Sequence, residues 1–450
     1  MSELLDLARS VCQHAQGNEG IEAFLTHEKT FEARAFGGDI DSVSSAEPRG
    51  AGIRVVDGGR VGFSYTTDLS GPGLTVCLER ARTNARYSSE DEAVTLAPEW
   101  TEPPADIEGL LDPDQPRVTA RDKVAFTIAL ERATREADAR IRTVEDAVYS
   151  DSEATAAIAT TTGIAAEYSR TDAWGYSVAI AEDAGDTQVG FDFGLARGLG
   201  DLDAEELGLR SAAKALSVLG ATKIPSARMP VVFDPYTSAQ FLGVISSALL
   251  GEAVQKGRSL FAGQLGQRVA TTDITLVDDG TISGAPGSAP WDDEGVPTRR
   301  TEVIKGGVLS SFLYDIVSAR RERVSSTGNA SRAGFKSGPG PSPTNMAFDT
   351  TGQTREQLLR EAGRAFLVQD FHGVHSGANA VSGDFSVGAT GRLIENGELT
   401  QPVKEVTIAL PMLEILAGIV AVADDRRWLP FGGSFGGATT LISEMTVAGS

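Results

Sequence analysis

A pattern that occurs twice does most to limit what this chain can fold into. Leu4–Ala15 has the periodicity of an amphipathic helix. From Ile21 to Thr66 the sequence turns to short strand-like runs. Gly37-Gly38-Asp39 and Asp57-Gly58-Gly59 punctuate these runs with residues suited to tight hairpins. Leu74–Tyr87 is helical again, with Leu74, Leu78 and Ala81 on one face. After a Pro-rich acidic loop, Ala97–Pro116, the order returns. Val118–Ala137 predicts a helix with a Val124, Ile128 and Ala129 stripe. Ile141–Phe193 is strand-rich, with turns at Gly163 and at Ala184-Gly185-Asp186, and Ala204–Leu219 predicts a closing helix. Helix, meander and helix, twice over, predict an α+β fold: a two-layer N-terminal region with helices on one face of antiparallel sheet. Two units and one continuous sheet fit the pattern equally well.

The chain has 450 residues, more than one core of ordinary size holds. Gly220–Pro230, with two prolines and small polar residues between two clear patterns, is the natural boundary. We expect an N-terminal region over 1–222, with a possible internal division near 97–116, and a C-terminal domain over 230–450. The latter reads as strand-rich and mixed. Val231–Asp234, Asp384–Val387 and Thr407–Leu410 predict strands. Glu395-Asn396-Gly397-Glu398 predicts a hairpin turn, and Met412–Val420 a buried helix.

Charge narrows the function classes. With 40 Lys+Arg against 62 Asp+Glu, the formal charge is −22, which argues against nucleic acid or an anionic membrane surface as the main partner. Cys12 and Cys77 form neither a disulfide framework nor a metal-spaced cluster. The start, MSELLDLARSVCQHA, lacks a basic n-region and an apolar h-region. The apolar run Ile408–Ala423 is broken by Pro411 and Glu414. A cytoplasmic protein is the expectation. No Gly-rich phosphate loop of the Walker or dinucleotide type is present, so no nucleotide cofactor is expected.

The stretch Ser246–Ala270 draws most attention. Phe241, Leu242, Ile245, Leu249 and Val254 recur at helical spacing, and Gly251 interrupts the apolar face just before Glu252. Further on, a series of short segments follows in order: Asp293-Glu294-Gly295-Val296-Pro297-Thr298, Val303–Leu309, Thr327-Gly328-Asn329, Pro343-Thr344-Asn345, Ser382–Ser386, Ile394-Glu395-Asn396-Gly397 and Glu405–Ala409. This series, spanning most of Val231–Gly449, resembles the TldD/PmbA (TldE) family. Its last members resemble the PmbA/TldE branch in particular.

The resemblance implies a metallopeptidase-related protein. In the TldD half of that family the helix matching Gly251–Lys256 carries His-Glu-x-x-x-His. Here those positions read Gly251-Glu252-Ala253-Val254-Gln255-Lys256. Gly251 offers no ligand atom and Lys256 offers an ammonium, so the segment cannot hold a catalytic zinc. The neighbourhood matching the zinc-binding cysteine of TldD proteins, Ala421–Asp425, contains none. Glu252 alone keeps a catalytic-type identity. The resemblance thus implies no cofactor in this chain, zinc in a TldD-like partner subunit, and peptides as substrate, with a homodimer possible in isolation.

Two other groupings carry chemistry. His372 and His375 form His-x-x-His, for which Asp370 or Asp384 would be the third metal ligand. With Glu252 they define an alternative, an autonomous hydrolase with relocated residues; a peptide-binding protein is a further alternative. Gly432-Gly433-Ser434-Phe435-Gly436 matches G-x-S-x-G. Every histidine precedes it, however, and Thr440–Val447 behind it predicts a strand, so it reads as a Gly-rich turn between strands. His14 and His27 read as structural.

Overall fold

Gly58 and Gly59 take φ of 56° and 75°, the left-handed pair that a two-residue hairpin needs, and they join β3 (Arg49–Asp57) to β4 (Arg60–Thr66). This hairpin is one edge of a larger sheet. The computed structural model describes residues 3–100, 103–430 and 433–449. Thr101 and Glu102 of the Pro-rich loop lie outside these, as does Gly432.

The N-terminal strands are β1 (Gly20–Phe36), β2 (Asp39–Ala46), β3, β4, β5 (Ile141–Thr160), β6 (Ala165–Asp183) and β7 (Asp186–Ala196). They form one antiparallel sheet in the order β4-β3-β1-β5-β6-β7, with β2 pairing the far half of β1. Strand length decides between two units and one sheet. β1 and β5 run 17 and 20 residues, and Glu22–Ala35 pairs with Thr160–Ala147 along nearly the whole of β1. The two repeats are thereby stitched into a single layer.

Helices α1 (Glu3–Cys12), α2 (Gly71–Tyr87), α3 (Ala120–Glu136) and α4 (Ala204–Ser217) cover one face of that sheet. Their starts are chemically marked. Ser70, Thr119 and Asp203 each accept a hydrogen bond from the backbone N–H three residues on, and Asp122 completes a capping box. Ile21, Ala23 and Leu25 of β1 pack beneath α1 and α2 with Val11, Leu78 and Ala81. Ala35 and Val144 pack beneath α3 and α4 with Leu130 and Leu207.

One expectation fails here. The buried side of α3 is centred on Thr127, Leu130, Glu131 and Thr134, not on Val124, Ile128 and Ala129. The polar members are tolerated because they are bonded. Thr127 donates to the Lys123 carbonyl, Thr134 bonds the Leu130 carbonyl and Ser177, and Glu131 pairs with Arg135.

Both repeats dock their last helix over a strand glycine. A Cβ at Gly62 would stand 2.0 Å from the Ala81 carbonyl oxygen of α2. One at Gly190 would stand 2.2 Å from the Ala215 nitrogen of α4. Backbone atoms cannot yield as side-chain ends do. Gly190→Val is therefore expected to destabilise by at least ~1–3 kcal/mol, read as a lower urea midpoint.

The C-terminal strands build a closed barrel and a second sheet. The barrel runs β15 (Arg364–His372), β8 (Ala227–Phe233), β22 (Thr440–Ala448), β18 (Glu398–Ala409) and β17 (Asp384–Glu395), and β17 pairs back to β15. Short strands β16 (Ala378–Asn379) and β19 (Ile419–Val422) extend it. The second sheet has the order β11 (Val308–Leu309), β10 (Arg300–Lys305), β9 (Leu276–Asp279), β14 (Asn345–Phe348), β21 (Ser434–Gly437), β20 (Arg427–Pro430). β12 (Ala330–Ser331) and β13 (Gly340–Pro341) form a small ladder. Phe233, Phe241, Phe371 and Phe385 meet with ring centroids 5.1 to 6.5 Å apart and fill the barrel beneath helix α5 (Pro235–Ser246). Each such ring contributes roughly 1.5–3 kcal/mol by burial.

Two expected elements differ. β8 begins at Ala227, inside the Gly220–Pro230 stretch. The helix expected over Met412–Val420 ends at Gly418, because Ile419–Val422 leaves it to pair with β22. No helix among the described residues is long and apolar enough to cross a membrane.

Candidate functional site

The Gly251–Lys256 segment is not a continuation of α5. Asp234 caps that helix by accepting from the Thr237 N–H at 3.0 Å, and Pro235 occupies its first turn. The helix ends at Ser246, one 3₁₀ turn follows, and Leu250 is extended at φ −85°, ψ 131°. The cause is a competing partner. Leu313 donates to the Leu249 carbonyl at 2.9 Å, and the Gly251 N–H donates to the Leu313 carbonyl at 2.8 Å. Only then does the single turn α6 (Gly251–Gln255) form. A Cβ at Gly251 would lie 2.3 Å from the Tyr314 ring, so this ring stands where a ligand side chain would have to start.

Glu252 faces solvent, 44% exposed, with Lys256 Nζ 2.6 Å from its Oε1. The pair is an ordinary i,i+4 contact on a helical surface. These residues do not fit a zinc ion: position 251 has no donor atom, and the ammonium at 256 holds the carboxylate.

His372 ends β15, where its Nε2 lies 2.8 Å from Thr390 Oγ1 and its Nδ1 3.7 Å from Asp370 Oδ2. Gly373, at φ 71°, then turns the chain into the one-turn helix α9 (Val374–Gly377), which carries His375 exposed. Asp384 accepts instead from Ser382 Oγ at 2.6 Å. Glu252, His372 and His375 thus each have their own surroundings, and no group of three His, Cys, Asp or Glu suited to a metal occurs among the described residues. Ser434 opens strand β21 rather than standing between a strand and a helix. Its hydroxyl is buried without a hydrogen-bond partner among the described residues.

A large concave feature lies elsewhere. The helix-free face of the N-terminal sheet is roofed by C-terminal loops, and between them is a cleft of about 930 Å³. Pairing register places Glu28 of β1, Ala154 of β5 and Arg170 of β6 in one row across the floor, and Thr26, Ala156 and Tyr168 in the next. The alanines of β5 make a trough between longer neighbours. Further along, Trp174, Tyr176, Phe191 and Phe193 stack as an aromatic floor, with centroids 5.8 to 5.9 Å apart. Trp291, Asp293 and Ser434 are among the roof residues.

The charged end is crowded. Arg170 Nε lies 3.1 Å from Asp172 Oδ2, and Arg197 lies 2.6 Å from Asp172 Oδ1. Burial pushes the Asp172 carboxyl above its ordinary value against the pull of Arg170 and Arg197. It does the same to Asp293 against Arg332, and it pushes the Tyr168 phenol up to about 12.

Behind the roof, Arg54 bridges Glu22 at 2.6 Å and Glu294 at 3.0 Å, and Arg332 also bonds Glu22. All four side chains are buried. Burial alone would raise Glu22, but Arg332 and Arg54 together hold it below the usual glutamate range. Asp278 is pushed up to about 6 by burial, although Asn329 and Thr344 bond it.

Sequence reasoning missed this cleft. Its signal was present as alternation: Tyr168, Arg170, Asp172, Trp174 and Tyr176 are every second residue of one run, opposite small residues of another.

Comparison with known proteins completes the site. Residues 21–85 match the model of PmbA/TldA metallopeptidase domain 1, residues 113–219 the central domain, and residues 226–449 the C-terminal domain. The chain is 27% identical over 440 residues to the metalloprotease PmbA of Escherichia coli O157:H7, covering 96% of this chain and 93% of that protein. It is 30% identical over 390 residues to a metalloprotease TldD homolog of Haemophilus influenzae, covering 84% and 79%. A Thermotoga maritima protein described as a candidate modulator of a DNA gyrase superposes with a TM-score of 0.90 at 27% identity, over 98% and 99% of the two chains. TldE from Thermococcus kodakarensis shares the fold, with a TM-score of 0.86 at 23% identity over 99% of each. Three family domains in order, with full-length relatives, establish that this chain belongs to the PmbA/TldD metallopeptidase family.

Proposed function

We propose that this chain is the zinc-free, PmbA/TldE-like subunit of a TldD/TldE-type metallopeptidase assembly in the cytoplasm. It stands beside a zinc-bearing TldD-like chain, and the assembly cleaves peptides. Its own role is structural or substrate-selecting. The observation that carries the reading is the chemistry at Gly251–Lys256. Where the TldD half of the family has two histidines, this chain has Gly251 packed on Tyr314 and Lys256 paired to Glu252. A zinc peptidase needs neutral imidazoles and an open coordination position for water, and these residues supply neither.

The test is co-expression with a chain from the same source that carries His-Glu-x-x-x-His. We expect the two to co-elute, zinc to follow the partner, and chelator to abolish peptide hydrolysis by the pair. The lone chain should show no chelator-sensitive hydrolysis. Stoichiometric zinc and turnover in the lone chain would overturn the reading. Loss of that turnover on Glu252→Gln, His372→Ala or His375→Ala would establish the autonomous hydrolase in its place.

A further inference from the structure

The cleft faces away from α1–α4, and the Gly251–Lys256 segment does not line it. Its walls differ along its length, and the difference specifies a ligand. At the aromatic end, the rings of Trp174, Tyr176, Phe191 and Phe193 remain half-buried. Half-buried rings lining a cleft still have apolar surface to remove from water, and bulky side chains remove the most.

At the other end the charges do not balance. Arg332 is spent on Glu22 and on the carbonyls of Asp293 and Ser337. Arg197 bonds Asp172 and the carbonyls of Thr171 and Ala285. Arg170 pairs with Asp172. Arg170, Arg197 and the Arg332 that Glu22 already holds therefore meet three carboxylates besides Glu22: Glu28, Asp172 and Asp293. The side chain of Glu28 makes no hydrogen bond among the described residues, and its charge acts on Arg170. A ligand cation would offset the remaining charge, whereas an anion would add to it. The carboxyls of Asp172 and Asp293, both raised by burial, would gain from the same cation.

Shape points to an extended chain. The trough over Ala154 and Ala156 runs along the strands, and about 930 Å³ lies at the upper end of ligand clefts. Asp172 and Trp174 are two residues apart on one face of β6, about 7 Å. An extended peptide has the same two-residue spacing between side chains on one side. In the roof, the buried Ser434 hydroxyl has no hydrogen-bond partner among the described residues. We propose that this cleft binds an extended peptide bearing a lysine or arginine flanked, two residues away, by a bulky apolar side chain. The cation lies at Glu28, Asp172 and Asp293, and the apolar group on the aromatic floor. This rests on the peptide-processing reading above and adds a specificity to it.

The experiment uses the purified full chain alone. Ac-Phe-Ala-Lys-Ala-Phe-NH2 reads the same spacing in both directions, so chain polarity need not be known. It is titrated against Ac-Phe-Ala-Glu-Ala-Phe-NH2 and Ac-Ala-Ala-Lys-Ala-Ala-NH2, by calorimetry and by tryptophan fluorescence, since Trp174 and Trp291 line the cleft. The first peptide should bind at least tenfold tighter than either control. Glu28→Gln should narrow the lysine-over-glutamate ratio several-fold. Ala154→Leu, which fills the trough, should weaken the first peptide at least tenfold. Equal affinities for the three peptides, no binding, or full binding by the Ala154→Leu chain would each overturn the proposal. Co-elution with a zinc-bearing partner is scored separately. Binding without a partner removes only the assembly reading, and a partner without binding removes only the cleft specificity.

Discussion

Arg54→Met is expected to lower stability by about 3–5 kcal/mol at neutral pH. The guanidinium is 6% exposed, and its two partners, Glu22 and Glu294, are fully buried. Methionine matches much of the volume but leaves two carboxylates buried on β1 and in the Asp292–Val296 turn. Arg332 still serves Glu22, so Glu294 bears most of the loss. Burial already pushes Glu294 above the usual glutamate range, with Asp315 and Glu22 adding to it and Arg54 opposing.

The pH dependence separates this cause from simple loss of packing. In the native chain Glu22 is held low, so its contribution is present above the unfolded glutamate value and is lost as pH falls through the lowered one. In the variant, Glu294 is pushed further up. A raised carboxyl favours the folded state below the unfolded value and costs stability as pH rises through the folded one. The variant's deficit should therefore shrink between neutral pH and pH 5. Glu294→Gln added to Arg54→Met should recover part of the loss. Urea midpoints at the two pH values measure both effects. A deficit under 1 kcal/mol, or one independent of pH, would show that the bridge does not hold the N-terminal sheet to the C-terminal turn.

These residues also show what a sequence can and cannot disclose. The twofold helix–meander–helix order and the hairpins were legible because they rest on local chemistry: the Gly-Gly turn at 58–59 and the Leu74, Leu78, Ala81 face. The barrel was not, because β15, β8 and β22 are brought together from three distant stretches. The break at Leu250 was hidden for the same reason, since its cause, Leu313, lies far along the chain. The α3 face was misjudged because hydrophobicity alone hides Thr127 and Thr134, which are buried by virtue of their own hydrogen bonds. In the candidate site, the unsuitability of Gly251 and Lys256 for zinc needed only residue identities. The cleft needed register, since Glu28, Ala154 and Arg170 become neighbours only when three strands are aligned.

The Gly251→His, Lys256→His double variant is expected to bind zinc weakly and to hydrolyse no peptide. Residues five apart differ by about 140° around an ideal helix, so two imidazoles converge only where the helix ends between them. That condition is met. α6 stops at Gln255, Lys256 sits at φ −85°, ψ 3°, and Gly257 is left-handed at φ 64°. Space is the first obstacle. The Tyr314 ring stands 2.3 Å from a Cβ at 251, while the Gly251 N–H is tied to the Leu313 carbonyl at 2.8 Å. Overpacking of this kind costs about 1–3 kcal/mol. Tyr314→Ala in addition makes room at 251, but it also removes a buried ring from the C-terminal core, so the midpoint stays below the native one.

Coordination is the second obstacle, and relieving the first does not remove it. Two imidazoles leave zinc short of the three protein ligands that a catalytic site supplies. His372 is bonded to Thr390, Asp384 to Ser382, and neither joins a three-ligand group among the described residues. The triple variant should therefore still fold, at a lower midpoint than the native chain, release zinc to a competing chelator, and leave peptides intact. The pairing of those three results matters. A variant that fails to fold would also lack activity, whereas a folded, weakly binding one isolates the missing ligand as the reason. Tight zinc with turnover in the double variant would mean that His372, His375 or Asp384 reaches the ion, and the noncatalytic reading of this chain would fall.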